Sequence, residues 1–556
     1  MSNGPKLALP LASVPGRSVA GGGPRSSFAP LGTPGSVCNP MKLRATYEAP
    51  DARRYRAPGG SWDVPVLDVV MRQRSPEGGA VLVDGERRFS GHELDEMVAG
   101  LAGGLRSMGV RRGDVVSWQM PNWWEALVLY RACWRCGALA APLHHQFGAA
   151  EVGYMVDLLE PVVTFSSPTL PLIEREGSIG LRTEDLRFEE LLAGTPVRSS
   201  PNRPSDLAVV VFTSGSTGHP KAVLHTHRGL AYKSRVMMGV HGLAEADAVL
   251  MPAPMAHVSG LLNAVLLPGA AAMRTVLMER WDVQRGLGLI EKEGVSYMIG
   301  PPTIFTAMME DPTFTPSKVA SMRVISSGMM GVTPEFIEAA QAGFGAIVKR
   351  SYGSTEAPTV STCVNTDPPE RCRDTDGQAV GDAVIRIADP TTGRWRRAGH
   401  EGEVWIRGPE LFAGYSDPEE TAASMHRGWF RSGDLGMMDD EGWLVITGRI
   451  KELIIRGGEN ISSSEVERAL ELHPGIKNAV VVGRPDERLG ERVVAFIVGS
   501  ADIDAAECRR WFAEHGVARF KSPELVVHID QVPLLAAGKP DRTTLKERAA
   551  ALSVDI

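Results

Sequence analysis

The sequence predicts an α/β protein: a large N-terminal domain of parallel sheets covered by helices, a small β-rich subdomain, and a small α+β unit at the C-terminus. Three observations predict it. Apolar strand-length runs alternate with helical patterns from Trp62 to Arg350, the rhythm of parallel sheets with helical crossovers. Between Gly377 and Thr447 the pattern changes to short alternating strands separated by glycine turns. After Gly448–Lys451 (GRIK) a helix and two strands begin afresh, which divides the chain at residues 41–448 and 449–556.

The chain has 556 residues, enough for two or more domains and a large core. Its 43% hydrophobic content and net charge of -7 are those of an ordinary soluble protein, and the acidic balance with no long basic run argues against nucleic acid. The longest mostly apolar stretch, Val258 to Met273, is too short to span a bilayer and is broken by Pro268 and Gly269, so it reads as core. Six cysteines in such a length make no disulfide framework, which suits a reducing compartment and a cytoplasmic location. Cys133 and Cys136 form a CxxC, but inside an apolar helical pattern and with no second pair at metal spacing.

In order along the chain, residues 1–40 are rich in Pro, Gly, Ser and Ala, contain no acidic residue and predict a disordered extension. Met41 begins a segment that reads like a natural protein start. AVLVDGERRFS predicts a hairpin, and Ser90 a cap for a helix ending at Gly109. Asp114–Met120 predicts a strand, followed by Pro121, Asn122 and a long apolar helix. Further strands are predicted at Pro161–Ser166, Val295–Gly300, Arg323–Ser326 and Ala346–Arg350. In the C-terminal unit, Ser464 is expected to open an amphipathic helix, with strands at Ala479–Val482 and Val493–Val498.

The chemistry centres on Thr213 to Lys221, TSGSTGHPK. Leu207–Phe212 is the continuous apolar run of a buried strand, and it delivers a loop of hydroxyls and glycines to the sheet edge. Gly215 and Gly218 permit close backbone approach to an anion, Thr213, Ser214, Ser216 and Thr217 offer donors, and Lys221 supplies a point charge. A serine–glycine pair alone is a surface turn; four hydroxyls, two glycines and a lysine after a buried strand suit a polyphosphate. A P-loop is excluded, since Pro220 precedes Lys221 and Ala222 follows it.

This stretch, with His225, Thr226 and His227 after it, resembles the signature loop of the adenylate-forming superfamily of acyl-CoA synthetases, luciferases and nonribosomal adenylation domains. Ser216 and Ala222 depart from its usual TSGTTGxPKG. Four more motifs stand in the family's order from about Trp62 to Arg542. In Ser351–Glu356 (SYGSTE), with Gly353 at the turn, the resemblance implies that Tyr352 stacks on adenine, Thr355 donates to the α-phosphate and Glu356 holds Mg2+. In Gly428–Gly436 (GWFRSGDLG), it assigns Asp434 to the ribose hydroxyls. In Gly448–Glu467, it puts Arg449 on the nucleotide, makes Lys451 the hinge of a mobile C-terminal domain, and lays Gly457 and Gly458 along a thiol tunnel; Ser463 replaces a common proline. In Pro533–Arg542 (PLLAAGKPDR), Lys539 is the implied catalytic lysine, offsetting charge as the carboxylate attacks. His257 falls at the wall between acyl pocket and thiol tunnel, and Ser327, Gly328 and Met329 where the family touches adenine and acyl group.

The implied activity has two halves: a carboxylate attacks the α-phosphorus of ATP to give an acyl adenylate and pyrophosphate, and the thiol of coenzyme A then displaces AMP. The C-terminal domain rotates between them. An apolar pocket of His257, Ser259, Gly260, Gly328 and Met329 points to a short- or medium-chain, alicyclic or aromatic acid. The alternatives are an enzyme that loads an acyl carrier protein and a non-catalytic nucleotide-binding relative. A homodimer is compatible with the sequence.

Overall fold

A computed structural model describes residues 43–72, 79–213, 220–328, 332–456, 459–486, 488–500, 503–535 and 539–552. The expectation for residues 1–40 therefore lies outside the described residues, as do Ser214, Gly215, Ser216, Thr217 and Gly218 of the phosphate loop, Met329, Gly457 and Gly458.

Among the described residues the strands form four sheets. One runs Ile179–Arg182, Val163–Ser166, Val115–Gln119, Leu139–Leu143, Leu207–Thr213, Lys221–Thr226, parallel except for its last pair. Its central strands Val115–Gln119 and Leu139–Leu143 are buried throughout, which is why they read as continuous apolar runs rather than alternating ones. A second sheet has a parallel centre of Ile347–Tyr352, Val324–Gly328, Tyr297–Gly300, Ala248–Met251, Arg274–Leu277 and Ala80–Asp84, with short antiparallel strands at both margins. The predicted hairpin is Ala80–Asp84 and Arg87–Ser90, and Ser90 with Glu93 makes a reciprocal capping box for the helix Gly91–Ser107. The predicted apolar helix is Trp124–Cys136, all but one residue of it buried, with both cysteines in the core and their thiols pushed up by burial.

The third sheet is the expected β-rich subdomain, antiparallel around Trp429–Met438. Its last strand, Leu444–Arg449, pairs Gly448 with Leu435 and Arg449 with Asp434, so Arg449 still belongs to this sheet and the single-turn helix Ile450–Glu452 begins the passage onward. The fourth sheet, Glu459–Ser462, Leu453–Arg456, Gly490–Gly499, Ile476–Asp486 with Leu525–His528 alongside, is the α+β unit. Two local expectations shift. The helix there runs Ser463–Glu471 and is capped by Ser462, not Ser464, because the Ser462 hydroxyl is the one that accepts from Glu465 N. The two expected strands are the central parts of a longer hairpin, Ile476–Asp486 with Gly490–Gly499, whose polar ends lack the apolar pattern that marks strands in sequence. Ser463, at the place of a common proline, donates its hydroxyl to Glu452 O (2.6 Å) and ties the helix start to the passage between the two sheets.

Candidate functional site

Among the described residues, Ser327, Gly328, Ser351 and Tyr352 stand at the carboxyl ends of parallel strands, the edge at which open α/β sheets bind ligands, and Tyr352 reaches Asp434 of the β-rich subdomain. Ser327 and Gly328 end one strand and Ser351 and Tyr352 the next, in register as Ser327↔Arg350 and Gly328↔Ser351. The hydroxyls of Ser326 and Ser351 are in contact, and Ser327 Oγ donates to Gly300 O (3.1 Å). Gly353 makes the turn out of the strand; a Cβ there would lie 2.3 Å from Thr359 N, so only glycine fits.

Tyr352 OH donates to Asp434 Oδ2 (2.8 Å) while Arg449 Nε meets Asp434 Oδ1 at 2.9 Å. Three motifs far apart in the chain thus form one hydrogen-bonded unit. Burial and the facing Asp434 carboxylate keep the Tyr352 phenol strongly protonated. Thr355 is buried, and its carbonyl is held by His225 Nε2 at 2.8 Å. Burial lowers His225 to about 4, so the imidazole is neutral and donates through Nε2. Glu356 takes a hydrogen bond from Tyr415 OH on Oε1 (2.7 Å), and its carbonyl accepts from Phe412 N, which leaves Oε2 for another partner. A single carboxylate with a free oxygen fits Mg2+ carried largely by phosphates and water.

Thr213 ends the strand that leads into the phosphate loop, and Lys221 begins the strand that leaves it, paired across the hairpin. The Lys221 ammonium sits 2.8 Å from Glu420 Oε1 and over the Tyr415 ring, so a phosphate would have to draw it from that carboxylate. Thr226 caps the next helix through Gly229 N, and His227 Nδ1 accepts from Leu67 N, so these two signature residues build the scaffold.

Lys539 is set by a hydrogen bond from Leu535 N to its carbonyl. Burial and the Arg449 guanidinium pull its ammonium below the ordinary lysine range, against the opposing pull of Asp434, Glu452 and Glu356. The same lysine, after burial, pushes His257 down to about 4. Lys539, Asp434, Arg449, Glu356 and His257 therefore share one electrostatic neighbourhood. His257 caps the short helix Val258–Gly260, its Nδ1 accepting from Ser259 N (3.3 Å), and a π-helical segment, Leu261–Leu266, whose hydrogen bonds span one residue more than an α-helix, follows. Gly260, expected in the pocket wall, packs against the preceding loop, where a Cβ would lie 2.0 Å from Pro254 O. Lys451 is exposed in the turn Ile450–Glu452.

The sequence reading named His225 only as part of the signature, without its contact to Thr355, and missed Tyr415 and Glu420, which carry no local signal.

A class of enzyme is suggested by this geometry: polar groups at the ends of parallel strands, faced by a lysine from the C-terminal segment. Residues 71–416 match the AMP-binding enzyme family and residues 465–539 the AMP-binding enzyme C-terminal domain. The chain is 31% identical over 536 residues to the medium-chain fatty-acid–CoA ligase of Escherichia coli, covering 91% of this chain and 94% of that one. It is 30% identical over 508 residues to the 3-[(3aS,4S,7aS)-7a-methyl-1,5-dioxo-octahydro-1H-inden-4-yl]propanoyl:CoA ligase of Mycobacterium tuberculosis, covering 86% and 97%. The crystal structure of ATP-bound MatB from Rhodopseudomonas palustris superposes with a TM-score of 0.81 at 25% identity, covering 88% of this chain and 99% of that one. The chain belongs to the AMP-binding enzyme family, as an AMP-forming acid–thiol ligase. Among the described residues no helix is long and apolar enough to cross a membrane.

Proposed function

We propose that this ligase activates a short- or medium-chain, alicyclic or aromatic carboxylic acid and passes it to coenzyme A. The observation that carries the reading is the convergence of Lys539 with Asp434, Arg449, Glu356 and His257. Tyr352 offers its ring to the adenine, and Asp434, anchored by Tyr352 and Arg449, accepts from the ribose hydroxyls. Thr213, the loop after it, Lys221 and Thr355 hold the phosphates. Mg2+ on Glu356 would neutralise charge on the phosphate oxygens.

In the first half, a substrate carboxylate oxygen bonds to the α-phosphorus as the bond to pyrophosphate breaks. The Lys539 ammonium stabilises the negative charge shared by the entering carboxylate and the α-phosphate oxygens. In the second half the C-terminal sheet turns about Lys451, withdraws Lys539 and brings Gly457 and Gly458 to the path of the thiol. The thiol sulfur bonds to the acyl carbon, its proton goes to solvent, and AMP leaves with the electrons of the broken acyl–oxygen bond. His257 stands between acyl group and thiol. Neutral at physiological pH, it shapes the pocket without adding charge.

The reading is tested with purified enzyme, ATP, Mg2+ and a panel of acids, following pyrophosphate with and without coenzyme A. Acid-dependent release, with a thioester formed only when coenzyme A is present, is expected. Pyrophosphate without any thioester would assign the acceptor role to a carrier protein, and ATP binding with no release would make the chain a non-catalytic relative.

A further inference from the structure

The C-terminal sheet has to leave one orientation and take another during the reaction above, so whatever holds it in the first governs how the enzyme divides its time. Two hydrogen bonds cross from the far side of Lys451 to the β-rich subdomain. Ser462 Oγ donates to Thr447 O (3.1 Å), and Arg468 Nη2 donates to Ile446 O (3.2 Å). Both acceptors are main-chain carbonyls of the strand Leu444–Arg449, which pairs with Trp429–Met438 on one side and presents its other edge outward.

A bulge prepares that edge. The register runs Leu435↔Gly448 and then Gly436↔Ile446, so Thr447 is the extra residue, left out of the ladder. Ile446 N donates to Asp376 Oδ2 (2.8 Å), which fixes the residue whose carbonyl meets Arg468. A Cβ on Gly448 would lie 2.6 Å from Ser462 Oγ, so the glycine lets that hydroxyl reach the strand.

Two neighbouring hydroxyls bracket the turn. Ser463 Oγ donates to Glu452 O, after Lys451, and Ser462 Oγ to Thr447 O, before it. A rotation about Lys451 carries Glu452, Ser462, Ser463 and Arg468 together and leaves Ile446 and Thr447 behind. The Ser463 bond then survives, while those of Ser462 and Arg468 break. Ser462 also caps its helix by accepting from Glu465 N, so its loss would loosen the helix as well. Arg468 has no such second duty. Val466 and Leu470 pack that helix into its own core with Ile454, Ile461 and Val481, while Arg468 is exposed.

Resting on the acyl-CoA ligase reading, we propose that Arg468 is a positioning residue for the first half-reaction. With Ser462 it latches the C-terminal sheet to the bulged strand edge, in the orientation that serves Lys539. Two hydrogen bonds to carbonyls suit a contact that must open in every turnover: each is weak enough to break, and together they bias the equilibrium.

The test is a quotient. Single-turnover assays give the rate of pyrophosphate formation from ATP and acid, and the rate of thioester formation from a supplied acyl adenylate and coenzyme A. When the two orientations exchange faster than either step, each rate scales with the population of its own orientation, and their quotient follows the equilibrium between them. Arg468→Met should lower the first rate relative to the second by about three- to tenfold, the weight of one charge-assisted hydrogen bond at an exposed site. Arg468→Lys can still donate and should recover part of the quotient. Partial misfolding lowers both rates alike and cannot produce the shift. An unmoved quotient in Arg468→Met, or one shifted toward the first half, would overturn the inference and leave the ligase reading intact. A wild type that forms no pyrophosphate with any acid, or no thioester from the adenylate, would overturn both.

Discussion

The nucleotide side and the acyl side of the cleft are built on opposite principles. On the proposed nucleotide side several polar groups are already tied among the described residues: Tyr352 and Arg449 share Asp434, His225 holds the Thr355 carbonyl, and Tyr415 holds one oxygen of Glu356. On the proposed acyl side the His257 ring is tied through one nitrogen, its Nδ1 accepting from Ser259 N. The first side is set before substrate arrives, as expected for a ligand common to all reactions of the family. The second is walled by a neutral imidazole, which leaves substrates to be told apart by shape rather than by charge.

The largest test of this division is Lys539→Ala. Lys539 touches both sides electrostatically, but only the first half-reaction develops the charge it offsets. Pyrophosphate formation should fall by about 10²–10⁴-fold. Thioester formation from a supplied acyl adenylate should stay within a few-fold, measured by single-turnover assays of each half. Equal losses in both would mean that the lysine holds the cleft together rather than acting in one step.

Next comes Asp434→Asn, which removes the charge paired with Arg449 and weakens the grip on Tyr352. A tenfold or larger rise in KM for ATP is expected, on the order of 1–3 kcal/mol for charge-assisted contacts. Preference among acids should not change. If the ranking of acids moves with this substitution, the two sides are not separate.

Acid sensitivity is a third measure. His225 and His257 stay neutral to about 4 and His227 to about 3, mainly through burial, while the unfolded chain protonates them near the ordinary 6.5. Between those values the unfolded state binds more protons, so stability is present above about 6.5 and is lost as pH falls toward 4. Each histidine contributes about 1.4 kcal/mol per pH unit across that window. Urea midpoints at pH 7 and pH 5 should fall, and less so in His225→Gln, which removes one titrating ring.

How far the sequence disclosed this depends on distance along the chain. The parallel sheets were legible because their strands are buried on both faces and read as unbroken apolar runs, as in Leu207–Thr213. Tyr352, Asp434, Arg449 and Lys539 were legible as motifs by resemblance. Their supports were not: His225 lies 130 residues from the Thr355 carbonyl it holds, and Tyr415 lies 59 from Glu356. The packing of Gly260 was not legible, because the need for glycine there shows only once Pro254 O is seen against it.

The smallest expected effect tests whether the support of Glu356 matters at all. Tyr415 OH gives Glu356 Oε1 a 2.7 Å hydrogen bond, and the same ring lies under the Lys221 ammonium. Tyr415→Phe keeps the ring and therefore the cation contact, and deletes only the hydroxyl. A carboxylate freed from one hydrogen bond loses about 1 kcal/mol of orientation, so the Mg2+ concentration at half-maximal adenylation should rise about two- to fivefold. KM for the acid should be unmoved. Tyr415→Leu removes the ring as well and should additionally raise KM for ATP, because Lys221 then keeps Glu420 but loses the ring beneath it. If Tyr415→Phe shifts acid preference instead of the Mg2+ requirement, Glu356 serves the acyl side, and the boundary between the two halves of the cleft has to be redrawn through it.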